Sequence, residues 1–332
     1  MVRSHNGVAP YPFDPREVAV KTLHHLTVLA GILACVTVIG LVARADAPVA
    51  AATKPGSSAP PAKLRLWHVG NSWSCPFPFE QVGGFDRPFL LGTHKFNDGK
   101  GPNWLDQALE MDKKKVLEQG DYDAIYLGFV QLARPVESLD KLADVAVKHK
   151  PDARIYLQHA WASGGGHWAP GGRSSMGTLR DDDDLAAIQV EWDKLRKKLE
   201  DKTDEINKGL GGQHMFIIPV ADAVMKMRRL VVAGQLPGVT KQSHLFYDKE
   251  VEPFARDDHG ASHIAVLTVY CAHAAIYRKS PEGMPVPAGT GYWMNIQADG
   301  GKPPVTAEAH AVLQKLAWEV VSAYPYAGVP GK

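Results

Sequence analysis

Two polar stretches, far apart in the sequence, carry the residue types that acyl-transfer chemistry needs. The first is "GNS" at residues 70–72, within "HVGNSWS", which directly follows the apolar run "LRLW", and the second is "RDDHGASH" at residues 256–263. A serine hydroxyl becomes a nucleophile when a base removes its proton, and a third group must orient that base. We therefore predict Ser72 as the nucleophile, His259 as the base and Asp257 as the orienting carboxylate.

The late stretch offers more than one residue for each of its roles. Asp258 is the alternative carboxylate, and His263, one helical turn beyond His259, is the alternative base. Simpler interpretations also exist for these residues. Ser72 suits a tight turn, and Asp257 and Asp258 suit the capping of the helix that follows.

Motifs of several other enzyme classes are missing from the sequence. It contains no Gly-x-Ser-x-Gly elbow of the α/β-hydrolases. It also lacks the His-Glu-x-x-His motif of zinc proteases and a Gly-x-Gly-x-x-Gly motif after a strand. The acidic run at residues 181–184 forms the start of a predicted helix, and the helix dipole explains it without a cation. We therefore predict neither a metal nor a cofactor.

The charge balance argues against nucleic acid as a partner. The 37 Lys and Arg residues stand against 36 Asp and Glu residues, which leaves a net charge of +1. Nucleic-acid-binding domains carry a basic excess or a basic stripe. The two basic clusters, at residues 113–115 and 196–198, are typical of solvated surface.

Residues 1–47 have the pattern of a signal peptide or of an N-terminal membrane anchor. An uncharged apolar run occupies residues 26–43 and is followed by "RADAPVAAA", which contains a small-x-small cleavage pattern. The run is also just long enough to span a bilayer. We favour export with cleavage at Ala45 or Ala47, with a retained membrane tether as the alternative. Either way, the bulk of the chain is expected in the periplasm or outside the cell.

Residues 48–62 are rich in Ala, Pro and Ser and read as a linker, and residues 63–325 are expected to form one domain. Within that domain, short apolar segments alternate with helical patterns. This alternation predicts a mostly parallel sheet covered by helices on both faces, a three-layer α/β/α sandwich. The predicted strands are 63–69, 122–128, 153–161 and 215–220, and the predicted helices are 103–120, 135–150, 181–200 and 262–277.

A glycine-rich segment at residues 163–180 is expected to be a long loop after the third predicted strand, where such loops commonly cover sites. His159, His167 and Trp168 near this loop could line a cleft or simply pack. Cys75 and Cys271 remain after removal of a leader. An exported protein permits a disulfide, but the sequence leaves their pairing open.

The early "HVGNSWS" and the late "DDHGAS" together resemble the SGNH (GDSL-like) hydrolase superfamily. The similarity is greatest to its secreted bacterial branch, in which the first block reads Gly-Asn-Ser, and it spans most of residues 64–281. This resemblance implies a flavodoxin-like three-layer fold and a serine esterase that uses no cofactor. It assigns Ser72 as the nucleophile and His259 as the base. It also implies short acyl groups, such as acetyl on a carbohydrate or small-molecule ester, as the substrate.

The resemblance further implies an oxyanion hole built from three blocks. The backbone N–H of Ser72 would be one donor. The segment "FNDGKGPNWL" is similar to the second block, with Gly101 as the donor and Gly99 as the alternative. The asparagine of the third block is replaced by Val130, and the amide of Gln131 is the substitute donor.

Two departures from the family pattern favour other functions. Val130 replaces the oxyanion asparagine, and Arg256 stands three residues before His259, where the family has an aspartate. A glycan-binding protein that has lost activity is therefore one alternative to the esterase. A membrane-tethered structural factor, favoured by the long apolar run, is the other.

Overall fold

The structure, a computed structural model, describes residues 63–70, 73–74, 77–92, 108, 112, 115–128, 139–161, 181, 184–246, 260–285 and 304–330. The predicted leader and linker lie outside these residues, as does the whole segment 163–180. Among the predicted site residues, His263 is described. The others lie outside the described residues: Ser72, Gly99, Gly101, Gln131, Asp257, Asp258 and His259.

Five strands form one sheet in the order β2-β1-β3-β4-β5, and all neighbouring pairs are parallel. Four of these strands were predicted from the sequence, with ends that differ by at most three residues. The strands are β1 (Arg65–Gly70), β2 (Asp86–Gly92), β3 (Ala124–Leu127), β4 (Ile155–Gln158) and β5 (Met215–Ile218).

Helices cover both faces of this sheet. None of the helices in the described part of the chain combines the length and apolarity needed to cross a bilayer. The helices are α1 (Val116–Gln119), α2 (Leu139–His149), α3 (Leu185–Leu210), α4 (Val220–Val232), α5 (Ser262–Tyr277) and α6 (Ala307–Ala323), with 3-10 turns at Gln242–Leu245 and Pro325–Ala327.

Alternate residues of the strands point to opposite faces of the sheet and build two separate cores. Leu66 and Tyr126 share one core with α4, α5 and α6. Trp67 and Ile125, their neighbours in the chain, share the other core with α1, α2 and α3. The predicted three-layer α/β/α architecture is therefore confirmed.

Helix α5 is apolar on every side because it shares a core with the sheet, α4 and α6. Of its 16 residues, 14 are buried. Cys271 lies within it as a free, buried thiol, and burial raises the pKa of this thiol.

Helix α3 begins later and ends later than the predicted range of 181–200. The carboxylate of Asp184 accepts hydrogen bonds from the first backbone N–H groups of the helix and so caps it. The acidic run therefore precedes the helix instead of forming its first turn. The buried stripe continues past residue 200 through Thr203 and Ile206, and Gly211 ends the helix in the left-handed conformation.

The sequence analysis did not predict β2, which lies at the edge of the sheet beside β1. Its segment, "DRPFLLG", contains Pro88. Proline has no backbone N–H to donate to a neighbouring strand, so it is confined to edge strands and demotes a run that would otherwise be recognised.

Candidate functional site

The strand order reverses between β1 and β3, because the chain moves outward to β2 on one side and to β4 and β5 on the other. Open α/β sheets bind their ligands at such a point, outside the carboxyl ends of the strands. Gly70 ends β1 at this edge, and Gly128 follows β3 there. The backbone N–H of Gly128 donates to the carbonyl of Val69 over 2.8 Å, which joins the two strand ends.

Ser74 packs directly against Gly128. A Cβ atom at residue 128 would fall closer to the Ser74 side chain than real Cβ atoms come to any neighbour. Only glycine permits this approach of one backbone to another side chain. The chain that leaves β1 therefore returns over the end of β3.

The Ser74 hydroxyl lies 3.0 Å from Nε2 of His68, a residue of β1. Both side chains are fully buried. The imidazole meets the rings of Phe79 and Tyr126 edge to face, with centroids 4.8 Å away in each case. A polar pair is thus enclosed by aromatic side chains under the carboxyl edge of the sheet.

His68 is neutral at ordinary pH. Burial, with a smaller contribution from the charge of Arg87, lowers the pKa of His68 well below its usual value. Its Nδ1 has no hydrogen-bond partner among the described residues. A buried N–H group without an acceptor is rarer than a buried acceptor without a donor. The proton is therefore assigned to Nε2, which donates to the Ser74 hydroxyl.

A serine and a histidine in hydrogen-bond contact have the atom types of a catalytic pair. Here, however, neither Ser74 nor His68 is accessible to solvent. Within the described residues no carboxylate bonds to Nδ1 of this histidine, whereas a catalytic base needs such an orienting group. We interpret the pair as structural. Its two residues flank the predicted nucleophile, Ser72, in the sequence.

A second hydrogen-bonded connection ties the same turn to β4. The hydroxyl of Tyr126 donates to Oε1 of Gln158, the last residue of β4. The side-chain amide of Gln158 donates in turn to the carbonyl oxygen of Trp73 over 3.3 Å. The residue that follows Ser72 is therefore held to the end of a second strand.

Trp161, three residues beyond β4, stacks on Trp73. Their ring centroids are 5.0 Å apart and their planes differ by 17°. Phe77 also stacks with Trp161, at 6.1 Å. These three rings are buried and form an aromatic layer above the sheet edge.

The late block reaches the same tryptophan. Gly260 forms an antiparallel bridge with Phe246, and the N–H of Ala261 donates to the carbonyl of Leu245 over 2.8 Å. A Cβ atom built on Gly260 would lie 3.2 Å from Cζ2 of Trp161. Trp161 is thus contacted both by the residue that follows Ser72 and by the residue that follows His259.

His263 lies in the first turn of α5 and is buried. Burial, together with the charges of His310 and His244, lowers the pKa of His263 to about 4. Tyr270, two turns further along the same face of the helix, bonds to Nδ1 of His310 in α6 over 2.8 Å. The charge of His310 thus links His263 electrostatically to α6, and the next residue, Ile264, lies beside Gly260.

His159 directly follows β4 and is packed. Its ring stacks on Trp192 with centroids 5.9 Å apart, and its Nδ1 lies 3.9 Å from Oδ2 of Asp222. Burial, with a smaller contribution from the charge of Arg196, lowers the pKa of His159 to about 3. This favours the packing interpretation of His159; His167 and Trp168 lie outside the described residues.

The described residues include no group of three or more His, Cys, Asp or Glu side chains arranged to hold a metal. Two carboxylates of the acidic run accept hydrogen bonds from backbone N–H groups. Asp184 caps α3, and the carboxylate of Asp181 accepts from the N–H of Ser243 over 2.9 Å.

The sequence analysis did not single out His68, Ser74, Gly128 or Gln158. The available signal was a histidine in the apolar strand "RLWHVG", since buried polar side chains need a partner. The identity of that partner depends on how the chain turns after the strand.

Comparison with known proteins adds one structural alignment. No protein-family model matches the chain, and no curated protein matches it. The crystal structure of a DUF4886 family protein from Bacteroides uniformis aligns with 13% sequence identity and a TM-score of 0.49. The alignment covers 78% of this chain and 95% of that one.

Proposed function

We propose that this protein is an exported serine esterase of the SGNH type. Ser72 is the nucleophile, His259 the general base, and Asp257 the carboxylate that orients the base, with Asp258 as its alternative. The observation that carries this proposal is the double contact of Trp161. Trp73 stacks on its ring, and a Cβ atom built on Gly260 would lie 3.2 Å from the same ring.

Both residues beside Trp161 are bonded to predicted catalytic residues. Ser72 is bonded to Trp73, and His259 is bonded to Gly260. Consecutive Cα atoms are about 3.8 Å apart. The chain neighbours of the predicted nucleophile and the predicted base therefore lie near the same indole ring. This supports the pairing of the early block with the late block.

The location of the contact also supports the proposal. Ser74 lies against Gly128 at the end of β3, and Trp73 is bonded to Gln158 at the end of β4. The order of the sheet reverses between β1 and β3. Ligands of open α/β sheets bind at this kind of position. The turn after β1, which contains the predicted nucleophile in sequence, therefore belongs to the edge of the sheet at which a substrate is expected.

The reaction proceeds by acyl transfer. The hydroxyl oxygen of Ser72 attacks the ester carbonyl while its proton passes to His259, which then protonates the departing alcohol. Water, deprotonated by His259, attacks the acyl-serine, releases the acid and restores the hydroxyl. The oxyanion of each tetrahedral intermediate is met by the N–H groups of Ser72 and Gly101 and by the amide of Gln131.

The substrate class follows from the family resemblance alone. Secreted relatives with a Gly-Asn-Ser block suggest short acyl groups, such as acetyl, on carbohydrates or small molecules. A glycan-binding protein without activity remains the second candidate, because Val130 and Arg256 depart from the family pattern.

Hydrolysis of p-nitrophenyl acetate separates these two candidates. We expect the purified protein to hydrolyse the ester and the Ser72→Ala variant to lose at least about 10³-fold in kcat. Ser280→Ala, which removes an exposed hydroxyl bonded to Glu282, is the matched control and should retain full activity. Equal rates for wild type and Ser72→Ala would favour the glycan-binding alternative.

A further inference from the structure

The bond between His68 and Ser74 has no role in the reaction proposed above. Both side chains are fully buried, and removal of an imidazole and a hydroxyl from water costs free energy unless they bond to each other. An apolar residue would suit this strand position equally well for packing alone. Packing of the core alone therefore does not explain why this pair is polar.

The two side chains belong to one continuous segment, and their contact closes the turn after β1 upon its own strand. His68 is part of β1, and Ser74 follows the turn. Gly70, the end of β1, is paired with Gly92 in β2. Trp73 is held through its carbonyl by Gln158.

Only Asn71 and Ser72 lie between these fixed points. A hydrogen bond is directional, so it defines position more narrowly than an apolar contact does. Gly128 contributes on the opposite side, because Ser74 is packed against it with no room for displacement toward β3. The described residues on either side of Asn71 and Ser72 are therefore held by neighbouring strands.

We propose that His68 and Ser74 are positioning residues, whose mutual hydrogen bond holds the turn that carries Ser72 in its reactive geometry. This inference rests on the proposed esterase function. It assigns the two residues no proton transfer to substrate, since neither is exposed. Their effect is exerted on the placement of the Ser72 hydroxyl.

Kinetics of three variants test the inference. Ser74→Ala and His68→Phe each remove the hydrogen bond, and the phenyl ring keeps the aromatic contacts with Phe79 and Tyr126. We expect kcat for p-nitrophenyl acetate to fall by roughly 10- to 100-fold, with KM and the pH midpoint of kcat/KM unchanged. His68→Gln, which keeps an N–H donor, should recover part of the loss.

The double variant His68→Phe/Ser74→Ala adds a test of coupling. Both changes break the same hydrogen bond. The kcat of the double variant should therefore equal that of the less active single variant, and its loss should be smaller than the product of the two single losses. Thr268→Val is the matched control. It removes another buried hydroxyl, which bonds to the carbonyl of Ile264 over 2.8 Å, and should leave kcat unchanged.

The outcomes are distinguishable. Unchanged kcat in Ser74→Ala, with a loss of thermal stability like that of Thr268→Val, would overturn the positioning role and leave the esterase proposal intact. If Ser72→Ala retained activity, the esterase proposal itself would fail. Should His68→Phe not fold, Ser74→Ala alone decides, because its Cβ contact with Gly128 is preserved.

Discussion

Gly128 shows how a single residue can define the candidate site. Its missing side chain lets Ser74 come over the end of β3, and its N–H joins β3 to the end of β1. The turn, the histidine beneath it and the strand end are therefore packed as one unit. Any group added at residue 128 must displace that unit.

We expect Gly128→Ala to destabilise the protein by about 1–3 kcal/mol, as overpacking does in other cores. Gly209→Ala is the control, because a Cβ atom there meets nothing within 4 Å. In exposed helical positions this change stabilises by about 0.5–1 kcal/mol. Urea unfolding monitored by circular dichroism measures both variants. Equal stability of the two variants would contradict the close approach of Ser74 to Gly128.

Buried neutral histidines make stability depend on pH. Burial lowers the pKa of His159 from 6.5 to about 3, so below pH 6.5 the unfolded chain binds a proton that the folded chain excludes. The contribution of neutral His159 to the free energy of unfolding is fully present above pH 6.5 and is lost as the pH falls toward 3. The groups facing His159 are Asp222 on α4 and Arg196 on α3.

His159→Phe should therefore reduce the acid sensitivity of the protein. Between pH 7 and pH 5 we expect the variant to lose about 2 kcal/mol less unfolding free energy than the wild type. His149→Gln, on the exposed surface of α2, controls for the loss of a histidine. Denaturant unfolding at both pH values gives the comparison, and parallel losses in His159→Phe and wild type would refute the expectation.

At the level of elements, Trp161 connects parts of the chain that are distant in sequence. It extends from β4, stacks on the segment after β1 and contacts the residue that precedes α5 by two positions. The bridge between Phe246 and Gly260 fixes the late block beside it. Trp161 is therefore a shared neighbour of Trp73 in the early block and Gly260 in the late block.

Trp161→Phe should lower esterase activity by roughly tenfold or more, because a smaller ring loosens the contacts that align the blocks. Trp318→Phe, a partly buried change in α6, serves as the control. The ratio of kcat values, with thermal stability measured alongside, tests this. Full activity in Trp161→Phe would argue that the two blocks are aligned by other contacts.

The sequence predicted the elements better than it predicted their contacts. Strands β1, β3, β4 and β5 were recognisable because apolar runs buried on both faces are distinctive. The start of α3 was misplaced, since an acidic run suits both a first turn and a cap. The packing of Ser74 against Gly128 could not be predicted from the sequence, because it depends on β1 and β3 being neighbours in the sheet.

For the whole molecule, the sheet order explains why residues from the two ends of the domain meet. Strands β1 and β3 are adjacent although β2 lies between them in the chain, and α5 packs in the core on one face of that sheet. The carboxyl edge therefore gathers the turn after β1, the segment after β4 and the entry to α5. This gathering is what the esterase proposal requires of the fold.

Labelling with a serine-directed fluorophosphonate, followed by mapping of the modified peptide, tests the central claim most directly. We predict that Ser72 carries the label, that His259→Gln abolishes labelling and that His263→Gln retains it. Absence of label from folded protein, a label on Ser74, or undiminished labelling in His259→Gln would contradict the claim that Ser72 and His259 act together.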